Sequence, residues 1–532
     1  MIHLQKVRSV SFIIIMVLMA TGIGCIQPDH WPVYETPESR MDSDEPILSK
    51  PIEDSTEPAG SKTIAKDTIL SLSLDQALVM ALESNSGLRV ERYNPILANL
   101  SEQMERGVFD PILSSEFSYT KERTKENNAG TWSRAGEQTR NVSVGLTQKL
   151  PSGTDVQANV THSKDSTYHD TEEQEARMGI TVTQSLLQGY GSAVNLASVR
   201  QARLKTAASV YELQGITQAL LADTERAYWD HVLALQEIDI FENSLAVARK
   251  QLSEVEQRIE IGTLPRVEAA PARVEVALRE QALINAKSKF EESRLRLLYY
   301  ILQGKDGEYD CRILTTSIAP SDPEPQGAAK DHLQLADKYR SDLQEARLQI
   351  KQNRLEIVKT RNGILPRLDL FITLGNSGYA DSFSRSFKAL TDDTYDVAAG
   401  LRFSRTLNNR DLKAQDLAAD ITLKQTQQAV ENLKQIIQRD VRIALNDLDR
   451  IQQQIAATKK TRIQQEESLK AEQERFEAGT STGLLVAQAQ RDLLATVIRE
   501  AQVIVEYQKA LVNLYLAEGS LLERRGVDMT AL

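Results

Sequence analysis

Tryptophan, tyrosine and phenylalanine together supply only 5% of this chain of 532 residues. That is thin material for a conventional enzyme core, because aromatic side chains bury the most area apiece. Cysteine is nearly missing: Cys25 and Cys311 alone exclude a disulfide scaffold and paired CxxC metal sites. Positive charge is in deficit, with a net charge of −11, which removes the electrostatic basis for binding nucleic acid. HExxH and both common glycine-rich phosphate loops are absent. His162 and His169 lie in strand or loop text without a carboxylate cluster. The chain therefore reads as no enzyme, with neither cofactor nor metal. The apolar run Val10–Ile23 is too short to cross a bilayer as a helix.

What is present begins with that run. Lys6 and Arg8 precede it and GIGC ends it, the parts of a secretory signal over residues 1–24. The cysteine after Gly24 resembles a bacterial lipoprotein lipobox with lipid on Cys25, although Gly22 stands where such signals usually carry leucine. Ile26, rather than aspartate, favours the outer membrane. Residues 25–71 carry Pro28, Pro32, Pro37, Pro46, Pro51 and Pro58 among acidic and small polar residues. That composition belongs to an extended, disordered tether.

Proline is absent from 152–264 and from 367–532, and these gaps hold the longest helical patterns. Residues 193–260 and 408–477 each read as one helix, about 100 Å long at 1.5 Å per residue. Val430, Leu433, Ile437, Val441, Ala444 and Leu448 step by threes and fours. Beyond 483 a heptad seam runs through Leu484, Ala487, Arg491, Leu494 and Ile498, with Arg491 and Gln508 as polar interruptions. Helices alone would make this an antiparallel coiled coil.

Period-two text precedes each long helix, and a coiled coil does not need it. Val397, Ala399, Leu401 and Phe403 alternate with Ala398, Gly400, Arg402 and Ser404. LDLFITL at 368–374, VSVGLTQKL at 142–150 and TDVQANVT at 154–161 alternate similarly. Such segments suit strands of a membrane barrel, with Val397, Ala399, Leu401 and Phe403 toward lipid; a half-buried soluble sheet gives the same pattern.

The chain also repeats itself. RIEIGTLPR at 258–266 is echoed 217 residues later by RFEAGTSTG at 475–483. Each half runs short helix, strands, long helix, Gly-Thr turn, returning helix. Gly262 and Gly479 suit the left-handed position after a helix, Pro265 the first turn of the next, and Thr480 or Ser481 a cap. By length, 483–520 would continue end to end into 74–107, and 265–303 into 330–362. Pro111 and Pro366 lie 255 residues apart, 38 more than the two turns. The first half therefore has room for four strands, near 112–124, 140–150, 154–163 and 176–186.

LSLDQALVMALESN, FDPIL, SLLQGYGSAVNLASVRQAR, LPRLDL, LNNRDLKAQ and RFEAGTSTGLLVAQAQRDLL, in that order and within a duplication, closely resemble the TolC-like outer membrane efflux protein family across 72–520. The resemblance implies a mainly α fold with a β membrane portion. Long helical hairpins form a periplasmic α-barrel continuous with an outer-membrane β-barrel in a homotrimer. It divides the chain into a first repeat at 72–303, an equatorial linker at 304–329, a second repeat at 330–520 and a C-terminal tail at 521–532. It implies an exit duct of a tripartite efflux or type I secretion system in the outer membrane of a diderm bacterium. The partners would be a periplasmic membrane-fusion adaptor, an inner-membrane RND, ABC or MFS pump, and outer-membrane lipid.

By the same resemblance Gly262, Thr263, Leu264 and Pro265, with Gly479, Thr480, Ser481 and Thr482, are the adaptor-docking tips around the aperture. Family members often carry paired acids after the second tip. Leu485 and Gln488 stand there instead, and Glu268, after the first tip, is the candidate pore acid. The additional strands leave two readings: a barrel wider than the family's usual twelve strands, or a hairpin lying outside it. A lipid-anchored structural coiled coil spanning the envelope is the alternative to a duct.

Overall fold

A computed structural model describes residues 69–128, 131–167, 173–302, 309, 311–317, 320, 327–392 and 394–527. The signal, Cys25, the tether as far as residue 68, His169 and much of the 304–329 linker lie outside the described residues.

The described chain opens with strand β1 (Ile69–Leu72) and helices α1 (Leu74–Ser84), α2 (Ser86–Glu91) and α3 (Tyr93–Arg106). Ser73 starts α1 with a capping box. Its hydroxyl accepts from the Gln76 amide at 3.3 Å, while its own amide donates to the Gln76 side chain at 3.0 Å. Four strands follow: β2 (Ile112–Asn128), β3 (Thr131–Lys149), β4 (Thr154–Thr167) and β5 (Glu173–Ser185). The 64-residue helix α4 (Ala197–Glu260) then turns back into α5 (Ala269–Ile301).

After β6 (Arg312–Thr315) the order repeats with α6 (Ala329–Tyr339), α7 (Ser341–Ile364), β7 (Arg367–Ala380), the small helix α8 (Phe383–Ala389) and β8 (Tyr395–Ser404). The 68-residue helix α9 (Arg410–Glu477), α10 (Gly483–Glu518) and the short α11 (Leu521–Arg524) end it. The long helices begin at 197 and 410, within four residues of the positions that periodicity marks.

Four helices lie abreast at each level. On the strand side the order is α3, α4, α7, α9; on the far side it is α5, α4, α10, α9. A row beside the heptad seam joins the second hairpin: Val503, Tyr507, Ala510 and Leu514 of α10 pack on Ala444, Leu448, Ile451 and Ile455 of α9. The seam itself faces the first hairpin, where Val505 clusters with Tyr228 and Val232 of α4 and Val512 with Leu221 and Ala222.

The end-to-end stacking differs from the sequence expectation. The head of α1 (Ala77, Ala81) packs on the end of α5 (Leu297, Leu298, Ile301). His332 of α6 meets Glu518 at the end of α10 at 2.5 Å. Each short helix therefore stacks over the returning helix of its own repeat, not of the other. Helix length cannot distinguish the two pairings; contacts between the ends decide it.

Two domain edges also shift. Residues 69–71, assigned by composition to the tether, pair with 312–314 as a parallel ribbon. Tyr228 fixes this ribbon by donating to the Leu72 carbonyl at 3.1 Å. The 521–532 tail is not loose at its start, since Leu521 and Leu522 are buried against Leu78, Leu82 and Leu221.

Beneath the ribbon, the wholly buried His231 stacks on Phe290 at 4.7 Å and shares a 3.0 Å hydrogen bond with Ser293. Burial pushes its pKa down to about 4. The unfolded chain binds the proton near pH 6.5, so this contribution is complete above that pH and lost as pH falls toward 4. Going from pH 7 to 5 should cost about 2 kcal/mol through His231. His231→Gln should flatten that part of the profile of thermal midpoint against pH; an unchanged slope would assign the acid sensitivity elsewhere.

β2 to β5, β7 and β8 form one antiparallel six-stranded sheet in the order β2-β3-β4-β5-β7-β8. All four first-half strands exist, and the additional hairpin β2–β3 extends the same sheet.

Candidate functional site: the twin turns and the two-faced sheet

The repeated turns have one geometry. After α4, Gly262 has φ +80 and its amide donates to the Ile259 carbonyl at 3.1 Å, while the Thr263 amide donates to Arg258 at 2.8 Å. After α9, Gly479 has φ +77, with matching bonds to Phe476 at 3.1 Å and, from Thr480, to Arg475 at 2.9 Å. Both are Schellman closures, in which only glycine takes positive φ without strain. The threonine has its own part: Thr263 and Thr480 each donate their hydroxyl to the same arginine carbonyl, at 2.8 and 3.1 Å. Gly-Thr recurs because the left-handed residue and the second donor are both needed to close a helix end that nothing else covers.

Two details depart from expectation. Pro265 stands before a 3₁₀ turn at Arg266–Glu268, not inside the returning helix. Neither Thr480 nor Ser481 caps α10. Both hydroxyls bond back to α9, Ser481 to Glu472, and Thr482 occupies the cap position without a side-chain bond. The preceding helix takes up both hydroxyls, Thr480 on a backbone carbonyl and Ser481 on the Glu472 carboxylate.

The turns are neighbours: the Arg258 guanidinium lies over the Phe476 ring at 5.7 Å. Gly262, Thr263 and Pro265 are exposed and Leu264 half-buried; Gly479, Thr480 and Thr482 are exposed and Ser481 half-buried. Ile261 and Val267 beside the first turn are more than two-thirds exposed. Glu268 is half-buried, in a crevice between α4, α5 and α10 lined also by Val255, Ala272, Glu275, Gly483 and Ala487.

Deeper in that crevice is a constellation which sequence reading missed. Glu275 pairs with Arg279 one turn along α5, both buried, and Arg491 of α10 lies 3.7 Å from Glu275. Arg491 interrupts the heptad seam because a carboxylate of the other hairpin faces it. The interruption was visible in sequence; its partner, 216 residues earlier, was not.

At the other end the sheet has two chemically distinct faces. The register aligns Leu113, Leu146, Ala158, Ile180, Leu374 and Val397 in one row crossing all six strands. Leu401 and Phe403 continue this face, paired with Leu370 and Leu368, and Ala399 with Ile372. These side chains are largely exposed: Val397, Leu401 and Phe403 each show over 60% of their surface. The opposite face aligns Ser114, Gly145, Asn159, Gly179, Gly375 and Asp396. There Arg177 meets Asp396 at 2.6 Å and Arg402 lies over Phe371. A largely exposed apolar face backed by a polar, glycine-rich one is the pattern of a membrane barrel wall.

His162 sits on the apolar face near its far end, against Phe383 at 4.7 Å and Phe387 at 6.0 Å of α8. Gly378 lets that helix approach, since a Cβ there would lie 2.2 Å from the Ser386 carbonyl oxygen. Packing accounts for His162, and the sequence signal available was the pair of phenylalanines four residues apart.

The outer membrane efflux protein family model matches residues 156–301 and 332–520, more than half of the chain. The chain belongs to this family. Its members are outer membrane channels, not enzymes. The match begins inside β4, downstream of the hairpin β2–β3. Solved structures show the same fold at low identity. The CusC channel shares 15% identity over 88% of this chain and 95% of its own, with a TM-score of 0.61. For the CmeC outer membrane channel of Campylobacter jejuni the values are 14%, 84%, 85% and 0.61. For the open state of the MtrE outer membrane channel of Neisseria gonorrhoeae they are 18%, 84%, 89% and 0.59. No curated protein matches the chain.

Proposed function

We propose that this efflux family member is the outer-membrane exit duct of a tripartite efflux or type I secretion system and works as a homotrimer. One observation carries the reading: the sheet with an exposed apolar face and a polar face is continuous with helices about 100 Å long, and these end in paired exposed turns. The sheet wall meets outer-membrane lipid through Val397, Ala399, Leu401 and Phe403, and its polar face lines the lumen. The helices reach through the periplasm, where the turns around Gly262 and Gly479 receive a membrane-fusion adaptor linked to an RND, ABC or MFS pump. Purified protein should run as a heat-resistant trimer on gels and conduct ions in planar bilayers. Non-conducting trimers would favour a structural coiled coil instead.

Lipid on Cys25 assists sorting in this reading, while the sheet itself anchors the protein. Metabolic labelling with a fatty acid should tag the wild type and not Cys25→Ser, and the variant should remain in the outer membrane. Label on both, or a soluble variant, contradicts it.

The turns supply a sharper test. Thr482 is exposed and its side chain makes no capping bond, so Thr482→Trp should change stability by no more than about half a kcal/mol yet abolish export. Gly479→Leu should cost about 1–2 kcal/mol as well, through strain at φ +77. A cysteine at 482 should crosslink to the adaptor; full export by Thr482→Trp would remove the turns from the docking surface.

A further inference from the structure

We infer that β8 of one copy pairs with β2 of the next, so that three copies close an eighteen-stranded barrel as wide as the helical tube beneath it. This rests on the trimeric duct proposed above.

Among the described residues of one chain, the sheet is consecutively paired from β2 to β8, and only those two strands keep an open edge. An open edge cannot stand in lipid, where each unpaired backbone group costs several kcal/mol. Direction permits the closure. β2 leaves the helical end of the molecule and β8 returns to it, so the two meet antiparallel, as do all other neighbours in the sheet.

The additional hairpin belongs to the wall. Its Leu113 and Leu146 sit in the apolar row shared with Ala158, Ile180, Leu374 and Val397. Phe117 and Val142 pair on the same face two rows further out, and Phe117 is 70% exposed. A hairpin standing in water would have no physical reason to continue that face at that height.

Widths agree as well. Strands about 4.8 Å apart and tilted 35–45° occupy about 35–41 Å of circumference for six, but only about 23–27 Å for four. Four helices abreast at 8–10 Å take about 32–40 Å. Six strands per copy continue the tube without a step, whereas β4, β5, β7 and β8 alone would narrow it by about a third. The membrane section then has the bore of the periplasmic section, with just over twice the cross-section that twelve strands would enclose, since area grows roughly as the square of strand number.

The test is a cysteine scan in the full-length protein in outer membranes. Leu401→Cys is combined in turn with Leu113→Cys, Ser115→Cys or Phe117→Cys on β2, and with Val156→Cys, Ala158→Cys or Val160→Cys on β4. All project from the apolar face, where side chains directly opposite come within about 5.5 Å. Oxidation should convert the monomer band into covalent dimers and trimers for at least one β2 partner and no β4 partner; Leu401→Cys alone should give no ladder. Ladders with β4 would place the hairpin outside the barrel and overturn the eighteen-stranded closure while leaving the trimer intact. Failure at every position, with both cysteines labelled by a thiol reagent, would overturn the closure by removing the neighbouring copy, and the trimeric duct with it.

Discussion

Arg525→Ala should destabilise the folded chain by about 3–5 kcal/mol, the cost of leaving a buried carboxylate without its cation. Glu225, in the middle of α4, is 1% exposed, and Arg525 donates to it through Nε at 3.1 Å and again through Nη2. Burial is the largest influence on Glu225 and raises its pKa even with the guanidinium present. The pair therefore gives back less than its desolvation costs, and losing one member is worse than losing both. Arg525→Met with Glu225→Gln should recover most of the loss. The same pair holds the C-terminal segment, where Arg524 lies 4.2 Å above the Tyr515 ring, so truncation before 521 should destabilise the folded chain similarly. Thermal unfolding of the two variants decides the matter: equal losses in the single and the double would show that the segment, not the charge, is what matters.

Ile180→Lys should cost about 2–4 kcal/mol of assembled-barrel stability, and Thr181→Lys far less. The two residues are adjacent on β5 but on opposite faces. Ile180 stands between Ala158 and Leu374 in the apolar row, while Thr181 shares a 3.1 Å hydrogen bond with Thr373 on the polar face. A lysine among lipid tails has no partner for its charge, whereas one in the lumen keeps its water. Heat resistance of the trimer and its yield in outer membranes report the first effect, and single-channel conductance reports the second. If 180 and 181 tolerate lysine equally, the apolar face does not meet lipid.

Both expectations depend on features with different degrees of local origin. The faces of the strands were legible from the chain alone, because side chains alternate with period two wherever a strand lies. The alternation at 397–404 survives unchanged in β8. The same holds for the long helices, whose starts are within four residues of those read from proline gaps and periodicity. It holds also for the left-handed Gly262 and Gly479, since a helix end is closed by the residues next to it.

Other decisions needed distant residues to meet. That β5 pairs with β7, joining the two halves into one sheet, links positions about two hundred apart, such as Ile180 and Leu374. The stacking of each short helix over the returning helix of its own repeat follows from end contacts such as His332 with Glu518, which no helix length encodes. The β1–β6 ribbon draws Ile69–Leu72 out of a proline-rich tether by pairing it with residues 243 positions later. Arg491 and Arg525 could be seen as charges in apolar surroundings, but Glu275 and Glu225, which justify them, are 216 and 300 residues away. Periodicity and backbone sign are local quantities, so the sequence alone determined helices, turns and strand faces. Burial and pairing are properties of the folded chain, and only the tertiary structure decided which of those elements touch.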